Sequence, residues 1–456
     1  MIPIVEILLY LQIASAVLCI CFYKLEYGMA LLIFSSPFYL QIKPILPSFV
    51  NFLWRDLFLL IILFTWYMKV TVRKEHIKFN PITIVVLTYV LWGLIEIFNS
   101  TTLLHGLCGF RTTFYCALTY FVCFSTIKSE REIKIYLNSM LASIAIVAAI
   151  GIVQFILVNF HIIDVGNLMS LYWGREFYKP GVFRFRFFRA ISVFTDPNDL
   201  GTTAALGASV LLPFSLLGKK DLLRICVIFL FIIFLSAVIL SNSRNSMLGF
   251  SLAALFMMLL VARYFKLKNY ILSLVGIIIG IFWTISRYFG YFQKSFLPIF
   301  WGTSHYQQAF PERLSNVLDV IRGNPLLGAG FSVTKSIAKK FGITTGTFNL
   351  SCYDFGQVII LGQFGLIGLL LYVTVHVVPL VTLYRNVRSP YLPAYYKKVS
   401  IGIFGAIICI LITSIHYVAF YCVGTDINFW ILLAIGSWIY SMQHRQRLSD
   451  DGMEKV

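Results

Sequence analysis

The chain has 456 residues and a formal net charge of +18, with 59% hydrophobic and only 12% charged residues. An ordinary soluble protein of this length would be about a quarter charged, so the composition excludes a soluble globular chain. Apolar runs of about 20 residues recur from one end to the other, each long enough to cross a bilayer as a helix. These runs do not alternate in polarity as barrel strands do. The sequence therefore predicts an all-α, polytopic integral membrane protein with one transmembrane domain over residues 1–456.

The apolar runs follow one another to about residue 442. The first, near 3–22, carries Glu6 and has no basic segment before it, which favours a retained span over a cleaved signal. Further spans are predicted near 28–41, 52–70, 80–98, 106–127, 135–158, 198–217, 223–240, 246–262, 270–286, 356–381, 399–420 and 427–442. Because the second run is short and contains Pro37, the count stays open. It is 13 with an external N-terminus, or about 12 with an internal one.

The connections between these spans differ in charge. The basic ones contain Lys69, Arg73, Lys74, Lys78, Lys128, Arg131, Lys134, Lys219, Lys220, Arg224, Arg263, Lys266, Lys268, Arg385, Arg388, Lys397 and Lys398, and the tail adds Arg445, Arg447 and Lys455. The short connections 99–105, 241–246 and 421–426 hold one basic residue, Arg244. By the positive-inside rule the basic set is cytoplasmic. Because successive connections lie on alternate sides of the membrane, 159–197 and 287–354 then lie outside as two long loops. Long loops are not subject to the positive-inside rule, so their own basic residues do not contradict this orientation.

Three arginines lie in the first external loop, in "GVFRFRFFRAISVFTDPNDLG". Arg184 and Arg186 alternate with phenylalanines, which suits either interfacial anchoring on the bilayer or binding of an anionic group. Arg189 precedes "DPND", where Asp196 or Asn198 can cap the next helix and Pro197 fits its first turn. Arg189 is therefore the stronger candidate for a functional role.

Two further arginines lie where a charge is costly. Arg244, in "SNSRNS", occupies a very short connection near the hydrocarbon boundary, so a functional role is the default hypothesis and headgroup snorkelling the alternative. The flanking serines and asparagines are small and polar, and we expect them to leave room for a ligand and to offer donors. Arg111, early in its span, raises the same question less strongly.

The second external loop carries the remaining candidates. Apolar residues at helical spacing predict an amphipathic helix from about residue 311, with Glu312 and Arg313 in its first turn, ended by "GNP". The "GNPLLGAGF" turn that follows is a weak signal and lacks the Lys-Ser/Thr of a phosphate-binding loop. Asp354 marks the entry to the next span, as a helix cap or as a functional carboxylate.

Clustered guanidiniums on one face favour a phosphate or pyrophosphate ligand, which arginine binds bidentately. The chain also resembles the O-antigen polymerase and ligase superfamily, the Wzy-like proteins, over about residues 180–370. The resemblance lies in four loose elements in order: Arg189 with "SVFTDPN", then "SNSRNS", then Arg313 to "NPLLGAG", and a span entry with Asp354. Phe355 and Val358 depart from the family pattern at that entry.

The resemblance implies a GT-C-like architecture and a metal-independent, cofactor-free glycosyltransferase at the periplasmic face of a bacterial inner membrane. The implied donor and acceptor are glycans on undecaprenyl pyrophosphate. The implied partners of the protein are these substrates and membrane lipids, and not nucleic acid. A chain-length regulator is a further partner that the family allows. Arg189, Arg244, Arg313 and Asp354 are the implied catalytic residues, with Arg184, Arg186, Asn198, Glu312 and Arg111 as substrate-binding candidates. Asp354 in place of a histidine favours a polymerase over a ligase.

Two other classes stay open from the residues alone. A lipid-linked oligosaccharide flippase would also be polytopic and cationic, but its charges should line a path through the spans. A non-enzymatic scaffold gives no reason for two long basic outer loops. The nine cysteines show no CxxC or Cys/His cluster, so we expect packing roles and no metal site.

Overall fold

The computed structural model describes residues 17–18, 20–39, 54–74, 79–100, 102–164, 183–184, 187–194, 196–217, 221–261, 324–331, 356–415 and 424–450. Within them lie twelve α-helices with described bounds, further helical residues at 17–18 and 20–23, and one hairpin of two two-residue strands. The helices are α1 (Leu25–Ser35), α2 (Trp54–Arg73), α3 (Pro81–Asn99), α4 (Leu103–Thr113), α5 (Leu118–Thr126), α6 (Glu130–Asn159), α7 (Pro197–Leu217), α8 (Leu222–Leu240), α9 (Arg244–Val261), α10 (Gly356–Arg388), α11 (Ala394–Thr413) and α12 (Asp426–Asp450). The strands are β1 (Phe183–Arg184) and β2 (Phe187–Phe188).

Polar residues at the ends of the apolar runs begin the helices. Asn80 and Thr102 accept hydrogen bonds from the first turns of α3 and α4, and Asp221 does so for α8. Ser129 and Glu132 form a reciprocal capping box at the start of α6. Each cap satisfies amide groups that a helix leaves unbonded in its first turn, which fixes where the helix begins.

Seven of the described helices are long and apolar enough to cross a membrane, namely α3, α6, α7, α8, α9, α10 from Ile359, and α11. An eighth is possible if α4 and the helical residues Tyr115–Thr126 form one span bent by 46°. This confirms the all-α, polytopic architecture. The predicted span 106–127 is broken near Phe114 rather than continuous. The predicted span 270–286 lies outside the described residues, as does most of the predicted span 3–22, of which residues 17–18 and 20–22 are described and helical.

The helices differ in how much they are buried. Every residue of α7 from Leu200 to Pro213 is buried, so this helix is central. In contrast α8 exposes large apolar side chains along its length, including Leu223, Phe229 and Ile232, as a lipid-facing helix does. Trp430 of α12 is buried in the core beside Tyr89 of α3. The core therefore runs through α7 and α12, with α8 at the edge.

The bundle has two ends of different composition. At one end, which we call the Arg244 end, α3, α6 and α8 finish and α4, α7, α9 and α12 begin. The other, the Arg388 end, carries the basic residues Lys128, Arg131, Lys134, Arg224, Arg388, Lys397 and Lys398. Contacts such as Lys134 over the Tyr395 ring join helix ends there. The helices thus bring these basic connections, which were predicted as cytoplasmic, to one end of the bundle.

Reporter fusions test the predicted orientation of these two ends. A reporter fused after Lys220 or Arg388 is expected to report the cytoplasm, because basic connections stay inside. A reporter near Lys179 or Lys335 is expected to report the external side. A cytoplasmic signal from the fusion near Lys335 would contradict the predicted orientation of the Arg244 end.

Candidate functional site

The segment that carries Arg189 enters the bundle instead of lying on its surface. Phe188 is 1% exposed, and Ala190, Ile191, Val193 and Phe194 are equally buried. β1 and β2 pair antiparallel just before this point, with Phe183 opposite Phe188. In the interfacial-anchoring alternative the phenylalanines of this segment would dip into lipid, and for Phe188 this is wrong.

Two amide side chains of α6 hold this segment. Asn159 accepts a hydrogen bond from the Phe188 amide at 2.9 Å and donates to the Phe188 carbonyl at 3.2 Å. Gln154 does the same for Ser192, at 2.7 and 3.0 Å. Each side-chain amide thus bonds to both the N–H and the C=O of one residue, as a neighbouring strand would, and satisfies buried backbone groups. Neither residue was predicted from the sequence, because a lone amide in an apolar run carries no motif.

Arg189 joins three pieces of the Arg244 end. Its Nε donates to the Ser241 carbonyl at 2.9 Å, and its Nη2 lies 3.4 Å from the Asn242 carbonyl. The same Nη2 donates to Asn198 Oδ1 at 3.2 Å. The amide of Ala190 also donates to the Leu240 carbonyl, at 3.1 Å. Residues 189–190 therefore satisfy carbonyls that the end of α8 leaves unbonded.

The start of α7 follows the sequence prediction. The helix begins at Pro197, and Asp196 Oδ1 accepts a hydrogen bond from the Asn198 amide at 2.8 Å. Asp196 therefore caps the helix, and the side chain of Asn198 is turned toward Arg189. Two of the predicted site residues are brought into direct contact in this way.

The turn that contains Arg244 is tightly packed. Ser241, Ser243 and Ser246 are fully buried. Ser243 Oγ and Ser246 Oγ are 2.8 Å apart, and Ser246 Oγ is 3.1 Å from Thr202 Oγ1 of α7. The expectation that these serines offer hydroxyls to a ligand is therefore wrong, because they bond to the protein itself. Arg244 begins α9 directly after Ser243 and is partly exposed.

Glycine on α7 makes this packing possible. A Cβ at Gly201 would lie 2.6 Å from Ser241 Oγ and 2.9 Å from Ser246 Oγ. On the other side of α9, Thr413 of α11 lies 3.4 Å from the Asn245 carbonyl. Among the described residues next to Arg244, Asn242 and Asn245 are partly exposed.

Arg111 is held by a carboxylate. Its Nε and Nη2 lie 2.7 and 2.6 Å from Asp56 Oδ2. The neighbouring Arg55 pairs with Asp426 of α12 at 2.8 Å, and its guanidinium lies over the Tyr39 ring. These two ion pairs match three of the charges that the sequence places inside spans, Arg55, Asp56 and Arg111, the fourth partner being Asp426 at the start of α12. No partner for Arg111 was predicted from the sequence, because Asp56 is on another helix.

The glycine-rich turn has a structural role that its sequence signal did not reveal. α10 is broken at Gly365, whose φ and ψ are 62° and −164°. The amides of Leu366 and Ile367 donate to the carbonyls of Pro325 and Leu326 at 2.9 and 3.3 Å. The carbonyls of residues 362 and 363 accept from the amides of residues 329 and 330, at 3.0 and 2.9 Å. At this break α10 lacks the two helical hydrogen bonds from the amides of residues 366 and 367 to the carbonyls of residues 362 and 363. Four hydrogen bonds to the turn replace them.

The same turn docks on the end of α3. Asn99 Nδ2 donates to Glu96 Oε2 at 2.9 Å and lies 3.3 Å from the Leu327 carbonyl. The Phe331 amide donates to Ser100 Oγ at 3.0 Å, and its ring packs edge-on against Phe114 and Phe364. Part of the predicted outer loop 287–354 is thus fixed inside the bundle.

The remaining predicted site residues are not placed. Arg186, Glu312, Arg313 and Asp354 lie outside the described residues, as does the predicted amphipathic helix that begins near 311. Arg184 lies in β1, but its side chain is not described. Of the nine predicted site residues, the structure therefore brings Arg189, Asn198 and Arg244 to one region and gives Arg111 a partner of its own.

These features define a polytopic helical membrane protein with a polar cluster of buried and half-buried residues at one end of the bundle. No family model matches the chain, and comparison with curated proteins finds no match.

Proposed function

We propose that this chain is a membrane glycosyltransferase that polymerises undecaprenyl-pyrophosphate-linked oligosaccharide units at the Arg244 end. The observation that carries this proposal is the convergence of Arg189, Asn198 and Arg244, which come from three separate sequence elements. A guanidinium with partly exposed amide side chains beside it at one membrane face suits a diphosphate headgroup better than a neutral ligand. By the predicted orientation that face is periplasmic, in a bacterial inner membrane.

The chemistry requires little more than charge stabilisation. Pyrophosphate is a good leaving group, so guanidiniums that neutralise it as the glycosidic bond breaks lower the barrier. The attacking hydroxyl of the acceptor sugar needs a base or an orienting acceptor, for which Asp354 and Glu312 are the candidates. Arg313, Arg184 and Arg186 would complete the headgroup site.

A ligase that transfers the finished glycan to lipid A-core is the nearest alternative, since it uses the same donor. A flippase is less well supported by the described residues. Four of the charged residues near the Arg244 end are matched in pairs, Arg55 with Asp426 and Arg111 with Asp56. The break in α10, where a transporter would expose backbone groups to its cargo, is filled by residues 325–330.

An assay with purified protein tests the proposal. The full chain in detergent, given a lipid-linked repeat unit and no ion gradient, is expected to form longer lipid-linked chains with release of undecaprenyl pyrophosphate. Transfer only to lipid A-core would favour the ligase. Absence of any transfer by a heat-stable, monodisperse preparation would contradict the proposal.

Replacement of Asp354 by asparagine tests the role of its carboxylate. If Asp354 accepts the proton or orients the hydroxyl of the acceptor, Asp354→Asn is expected to cut polymer formation by about 100-fold or more. A helix cap would not show this loss, because asparagine caps about as well as aspartate. Near-normal polymer from Asp354→Asn would remove Asp354 from the catalytic residues.

A further inference from the structure

The contacts of Arg189 are with the protein on several sides. Nε and Nη2 reach the Ser241 and Asn242 carbonyls and Asn198 Oδ1. These groups lie at the end of α8, in the turn before Arg244, and in the first turn of α7. A guanidinium used in this way joins chain segments, whatever else it contacts.

The hydrogen bonds continue beyond Arg189 and return to the same turn. The Asn198 carbonyl accepts from Thr202 Oγ1 at 2.8 Å, and Thr202 Oγ1 is 3.1 Å from Ser246 Oγ. Ser246 Oγ is 2.8 Å from Ser243 Oγ. This path of hydrogen bonds therefore contacts the turn on both sides of Arg244, at Ser241 before it and at Ser246 after it. Any movement of the turn would break several buried hydrogen bonds.

We propose that Arg189 and Asn198 are positioning residues that act through Arg244. Arg189 holds the turn at the end of α8, Asn198 orients Arg189, and the two together fix the place of the Arg244 guanidinium. Asn198 serves as an acceptor for Arg189 through Oδ1, not as a donor to the substrate. The activity readout rests on the proposed function, while the contact itself can be tested without it.

Two substitutions of Asn198 separate the roles. Asn198→Asp keeps an acceptor for Arg189, and Asn198→Leu removes it. If Asn198 is a positioning residue, the Asp variant is therefore expected to form about tenfold more polymer than the Leu variant. If Asn198 donated its amide to a diphosphate, the order would reverse, because a carboxylate repels the anion. The same pair of changes at Asn138, which is exposed on α6, is the control and is expected to show no order.

A double-mutant cycle tests whether Arg189 acts through Arg244. In an Arg244→Lys background, adding Arg189→Gln is expected to cause little further loss, because the group that Arg189 positions is already changed. Losses that multiply would show that Arg189 acts on the substrate itself and would overturn the proposal.

A measurement of heat stability in detergent does not depend on activity. The Asn198→Leu variant is expected to aggregate at a lower temperature than Asn198→Asp. If only the Leu variant fails to accumulate, that result also shows that it is the less stable of the two. If wild type forms no polymer, the proposed function fails while this order still tests the contact. Equal heat stability of both variants and wild type would overturn the inference.

Discussion

Replacement of Gly365 by alanine is expected to abolish accumulation of the folded protein. The backbone of Gly365 lies at φ 62° and ψ −164°, a region that is essentially restricted to glycine. A Cβ there would meet the backbone of Leu326 and Leu327, which cannot move without breaking the four hydrogen bonds across the α10 break. Strained backbone alone costs about 1–3 kcal/mol, and the displaced turn adds to it.

The measurement is the amount of monodisperse protein extracted in a mild detergent. Gly436→Ala is the matched control, because Gly436 is helical and the nearest atom to an added Cβ would be Leu383 Cδ2, at 2.9 Å, the end of a side chain and not backbone. That variant is expected to accumulate normally. Gly365→Ala protein at wild-type level and heat stability would show that the turn does not depend on this conformation.

Much of the fold could be predicted because span formation depends on local composition. The apolar run 198–217 became α7 (Pro197–Leu217), and 223–240 became α8 (Leu222–Leu240). Capping residues at the run ends set these boundaries within a residue or two. The break at Gly365 was not predicted, since it depends on a turn from another part of the chain that bonds through its backbone and leaves no side-chain pattern.

The site was predictable to a lesser extent. Arg189, Asn198 and Arg244 were selected on charge and resemblance, but their contact through Ser241 depends on how α7, α8 and α9 pack. The amides of Gln154 and Asn159 could have been noticed as polar residues near the end of a predicted span. Their partners, the backbone groups of Phe188 and Ser192, could not, because a backbone group has no sequence signature.

The pairing of Arg111 with Asp56 shows a related limit. Both residues were visible as charges near span ends, and opposite charges in neighbouring spans tend to pair. Which carboxylate faces which guanidinium depends on helix rotation, which apolar periodicity alone does not fix when runs are apolar on every side. The same limit applies to Arg55 and Asp426.

Replacement of Arg244 by lysine is the test of the headgroup site. Lysine keeps the positive charge at the end of the bundle, but its ammonium lacks the planar pair of donors that binds a phosphate bidentately. Arg244→Lys is therefore expected to leave membrane insertion and protein level intact. Polymer on the cell surface is expected to fall to single repeat units, and the rate in detergent by about 10- to 100-fold.

Arg224→Lys is the matched control, because Arg224 lies at the Arg388 end, where its Nε donates only to the Ser215 carbonyl among its described contacts, at 2.9 Å. We expect near-normal polymer from that variant, since a single donor to a carbonyl can be supplied by lysine. A simple interfacial anchor at residue 244 would behave in the same way, because an anchor needs only a charge near the headgroups. Long-chain polymer at wild-type amounts from Arg244→Lys would therefore show that Arg244 holds the end of α9 in place and does not bind the diphosphate.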